Sequence, residues 1–83
     1  MLISIINQDI RTLFCINDII YISHNKLNNY SYLSLKPTGF LVQIPSGSTI
    51  EIIGEEFRDS EVATIDRLIE VYIESKRIRL LRG

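Results

Sequence analysis

The sequence predicts an α+β fold: a curved antiparallel meander of five to six strands with one C-terminal helix packed on it. Three observations carry that expectation. The 83 residues are 46% hydrophobic and 23% charged, a balance typical of one compact domain. Up to residue 54, β-branched and aromatic residues gather in short runs separated by turn formers. Beyond Asp59 the apolar spacing changes from two to about 3.6, which is the change from strand to helix.

The strands lie within residues 2–54 and follow one another closely. "LISII" precedes the turn "NQD", "IRTLFCI" precedes "ND", and "IIYIS" precedes the polar turn "HNKLNN". "YSYLSLK", "FLVQI" and "TIEII" are then separated by "PTG" and "PSGS". Links this short suit antiparallel neighbours, because a parallel crossover needs a dozen residues or more. Alternation places Leu33 and Leu35 on one face and Tyr30 and Tyr32 on the other. It likewise groups Phe40, Val42 and Ile44 against Leu41 and Gln43, and Ile50 and Ile52 against Glu51 and Ile53.

The helix is expected over about 59–76, with Asp59 as N-cap and Ser60 and Glu61 in its first turn. At 100° per residue, Val62, Ile65, Leu68, Ile69, Tyr72 and Ile73 form the core-facing stripe. Thr64, Arg67, Glu70, Val71 and Glu74 fall outside it. Residues 77–83 form a basic tail. Such a helix is about 10 Å wide, whereas five or six strands span roughly 20–30 Å. The sheet must therefore curl, as in a PH-like or split-barrel arrangement, or stay flat and be completed by a second molecule.

Charge is unevenly placed. Between residues 51 and 75, eight carboxylates face only Arg58 and Arg67, a net of −6, while Lys76, Arg77, Arg79 and Arg82 follow in the last eight residues. The single cysteine, Cys15, excludes an intrachain disulfide and a cysteine metal cage. No basic leader and no apolar run of about 20 residues is present, so the expected location is the cytoplasm, without a membrane span.

Motifs for chemistry are weak. His24 reads as a solvated turn histidine, without a second histidine or cysteine at ligand spacing. Ser23 to Lys26 spells S-x-x-K by chance at a strand end, where an acyl-transfer serine would need a buried helix. Glu55, Glu56, Asp59 and Glu61 read as a solvated corner rather than a cation site, and Cys15 as a small buried hydrophobe. "PSGST" enters a strand, so no helix N-terminus awaits an anion there and a hairpin turn suffices. No catalytic residue, metal ligand or cofactor site is expected.

What remains is surface. Tyr30 and Tyr32 on the second sheet face suit a protein interface, as do Arg67, Val71 and Glu74 on the outer helix and Arg77, Arg79, Leu80 and Arg82 in the tail. The expectation is a non-enzymatic protein-interaction module, with a homodimer or another protein as partner. The rival reading is a nucleic-acid-associated regulator that neutralises phosphates with the basic tail, although Ile78, Leu80 and Leu81 are apolar for such an arm. The segments "INDIIYIS", "GEEFRDSEVA" and "IDRLIEVYIES" resemble those of small uncharacterised proteins from low-GC Gram-positive bacteria and their phages and mobile elements. The resemblance spans roughly residues 1–75 and implies a cytoplasmic accessory protein, such as an inhibitor of a host system; it brings no catalytic residue.

Overall fold

The computed structural model describes residues 1–54 and 60–82, with the side chains of 78–82 excepted. Strands β1 (Leu2–Asn7) and β2 (Ile10–Cys15) form a hairpin through Gln8 and Asp9. Both turn residues have positive φ, 48° and 68°, which matches the twist that a two-residue hairpin requires. A 3₁₀ turn at Ile16–Asp18 leads into β3 (Ile19–Asn25), β4 (Tyr30–Leu35) and β5 (Phe40–Ile44). Then come β6 (Thr49–Ile53), β7 (Ser60–Ala63) and the helix α1 (Ile65–Arg82).

The strands make two antiparallel sheets, ordered β2-β1-β6-β7 and β3-β4-β5. They do not form one continuous meander, because β6 returns to pair with β1. Nor do they close into a barrel. Inward residues follow the alternation: Ile3, Ile5, Phe14, Ile50 and Ile52 from the larger sheet meet Leu33, Leu35, Val42 and Ile44 from the smaller. Leu68, Val71 and Tyr72 of α1 complete the same core. The sheet width that one helix could not cover is thus met within the chain, by the second sheet.

Three expectations about the C-terminal third are corrected. Among the described residues the strands number seven rather than five or six, and the extra one is β7, whose residues 60–63 had the acid-rich look of a helix start. Its ladder to β6 pairs Ile53 with Ser60, Ile52 with Glu61, Glu51 with Val62 and Ile50 with Ala63. Ladder hydrogen bonds outweigh a weak local helical preference. The N-cap is consequently Thr64, whose Oγ1 accepts from the Arg67 N–H at 3.2 Å. Asp59, the expected cap, lies outside the described residues.

The buried stripe of α1 is also turned, by about 70° on a helix of 100° per residue. Val71 is 6% exposed, whereas Ile73 is 50% exposed and Val62, in β7, 76%. Val71 is therefore core and not an interface residue. The cause is the third correction's as well: α1 starts later and runs through Arg82, so 77–82 is helix and not a separate tail. Lys76 sits with its ammonium 5.0 Å from the Tyr72 ring centroid, over the ring face.

Two smaller expectations change on the strands. Cys15 is exposed, because Phe14 takes the inward position beside Ile3 and the next side chain must point out. Phe40 shares the register face of Val42 and Ile44 yet is 64% exposed, lying at the first residue of an edge strand.

Candidate functional surfaces on two faces of one sheet

The outer face of β3-β4-β5 is built by register. Opposed residues in an antiparallel pair share a face, so Ser23, Tyr32 and Gln43 form one row and Tyr21, Ser34 and Leu41 the next. Asn25 and Tyr30 form a third. Tyr21 and Tyr32 meet edge to face, with centroids 6.4 Å apart and planes at 81°. Tyr21 is 46% and Leu41 52% exposed. None of these eight residues is charged. Tyrosine with small polar residues is the composition of adaptable binding surfaces. The structure thus brings Tyr21, Leu41 and Gln43 to the expected Tyr30 and Tyr32. Sequence alternation alone contained the first signal, but the strand pairing that assembles the patch is tertiary.

This sheet also offers an edge. Among the described residues β5 pairs only with β4, and "FLVQI" has no charge, proline or register shift. The other three edges are all blunted in familiar ways. Strand β2 carries Arg11, and β7 is four residues long and carries Glu61. Strand β3 has a register irregularity between Ile19 and Tyr21, and the Tyr72 hydroxyl donates to the Ile20 carbonyl there at 2.9 Å.

The opposite face of the same strands borders a cavity of about 410 Å³. Its walls are His24, Asn29 and Ser31, the turn Pro45–Ser48, and Thr64, Ile65 and Asp66 at the start of α1, over Ile44 and Ile50. His24 is consequently not a turn histidine. It lies on β3 opposite Ser31, half-buried, with its Nδ1 2.7 Å from Ser31 Oγ. The turn "PSGS" likewise does face a helix N-terminus, that of α1, although its own chain enters a strand. These polar residues come from separate stretches of sequence, around 24–31, 45–48 and 64–66, and only the convergence of two sheets and a helix joins them.

The remaining candidate positions are dispersed. Arg67 is exposed and bonds Glu61 at 3.3 Å and Glu70 at 2.8 Å, linking β7 to α1. The Glu61 hydrogen bond, then the nearby carboxylates, hold its pKa above the ordinary guanidinium value. Glu74 and Arg77 are exposed, while the side chains of Arg79, Leu80 and Arg82 lie outside the described residues. Glu55 and Glu56 do too. Among the described residues no three His, Cys, Asp or Glu side chains gather as for a metal ion, and no helix is long and apolar enough to cross a membrane.

Fold and surfaces together define a small α+β protein of two antiparallel sheets and one helix. No protein-family model, curated protein or solved structure matches the chain.

Proposed function

We propose that this chain is a protein-interaction module that self-associates, edge to edge, through β5. The observation that supports this is the contrast among the four sheet edges: among the described residues, β5 alone carries neither a charge nor a register shift and pairs on one side only. An open edge of that kind is a template for another strand. A second copy fits because an uncharged strand meets its own two-fold mate without repulsion, and Phe40 and Leu41 both gain cover. The joined sheet would carry two tyrosine faces side by side, a broader platform for a further protein. Five residues of edge make a small contact, so the dimer is expected to be weak and concentration-dependent.

Sedimentation velocity of the wild type and of Leu41→Lys and Gln43→Lys tests the reading. Both side chains are exposed, so the folds are expected to survive within about 0.5 kcal/mol. Dimer formation by the wild type and its loss in both variants supports the proposal. Equal dimerisation in all three would remove β5 from the interface.

A further inference from the structure

We infer that the cavity between the PSGS turn and the start of α1 is a binding site for a small primary ammonium ion with a short apolar body. Its size, about 410 Å³, is within the range of small-molecule sites. The site is also organised. Ser31 is 2% exposed, and its side-chain partner is His24, which lines the cavity. A buried hydroxyl on Nδ1 fixes the imidazole ring, and in the tautomer protonated at Nδ1 the ring donates to Ser31 Oγ and keeps Nε2 as an acceptor.

The charge and hydrogen-bonding capacity of the walls select the ligand class. Asp66 supplies the one carboxylate among the described lining residues, which include no lysine or arginine. Its place in the first turn of α1 sets the carboxylate against the positive helix end, which lowers the appeal of that end to an anion. Some groups are already engaged: Ser48 Oγ donates to the Pro45 carbonyl at 2.7 Å, and Asn29 Nδ2 donates to Ser46 Oγ at 3.4 Å. The Asn29 carbonyl oxygen and the Asp66 carboxylate are left as acceptors, joined by His24 Nε2 in the Nδ1-protonated tautomer, and acceptors are what ammonium N–H groups require. Ile44, Ile50 and Ile65 form an apolar wall for the ligand's hydrocarbon body. A carboxylate ligand would face Asp66, and a neutral alcohol would leave that charge unused.

The test is a titration of the intact chain followed by amide and imidazole chemical shifts, with n-butylammonium chloride, n-butanol and sodium butyrate at matched ionic strength. Saturable shifts at His24, Ser31, Thr64 and Asp66 are expected with n-butylammonium, and weaker or no binding with the other two. Asp66→Asn should weaken n-butylammonium by about tenfold or more, the effect of one charged hydrogen-bond partner, and Ser31→Ala by roughly three- to tenfold. Glu74→Gln, which removes an equal charge outside the cavity, should leave it unchanged. No saturable shift at these residues, equal affinity for n-butanol, or indifference to Asp66→Asn would each overturn the assignment. None of these results depends on whether the chain dimerises.

Discussion

The Tyr72 hydroxyl on α1 donates to the carbonyl oxygen of Ile20 on β3 at 2.9 Å, across 52 residues of sequence. One bond thereby fastens the helix to the smaller sheet and occupies an acceptor on the edge of β3. The ring itself belongs to the core. Tyr72→Phe removes the bond and keeps the ring, so it should cost about 1 kcal/mol, with the Ile20 carbonyl regaining water. Urea denaturation would measure it. A loss as large as that of Tyr72→Ala, about 3–5 kcal/mol, would mean that the hydroxyl and not the ring holds the helix.

The orientation of α1 gives a second prediction. Val71 is buried and Ile73 half-exposed, the reverse of their placement by simple periodicity. Val71→Ala should cost on the order of 1–3 kcal/mol, and Ile73→Ala no more than about 0.5 kcal/mol. Equal losses, or the opposite order, would return the helix to the orientation that periodicity favours.

The N-cap gives a third. Thr64 Oγ1 accepts from the Arg67 N–H, whereas Ser60 is exposed in β7, four residues before that cap and paired with Ile53 of β6. Thr64→Ala is expected to lower stability by about 0.5–2 kcal/mol, and Ser60→Ala to change it little. Thermal melts followed by far-ultraviolet circular dichroism distinguish the two positions.

Much of the strand region was legible because each strand buries one face. Ile3 and Ile5, Leu33 and Leu35, and Ile50 and Ile52 alternate as a half-buried sheet demands, and all six are core. What local pattern could not show was which strands pair: the return of β6 to β1 splits the strands into two sheets and supplies the cover that curling or a second molecule was expected to give. "SEVA" misled for a related reason, since four residues before a helix carry no period of their own and their strand state depends on β6. In the helix, Ile73 and Val71 flank Tyr72 on opposite sides, so hydrophobicity alone fits either rotation. Of the site, Tyr30 and Tyr32 were readable from alternation, but their neighbours Tyr21 and Leu41 arrive only through register. The pairing of His24 with Ser31 was hidden likewise, because they stand seven positions apart across a turn.

Self-association through β5 is most directly tested by hydrogen exchange at several protein concentrations. The β5 amides that face away from β4 should gain protection as concentration rises from about 10 μM to about 1 mM, by mass action, while those on the outer edges of β2 and β7 stay unchanged. Exchange at β5 that is independent of concentration over that range would contradict the account.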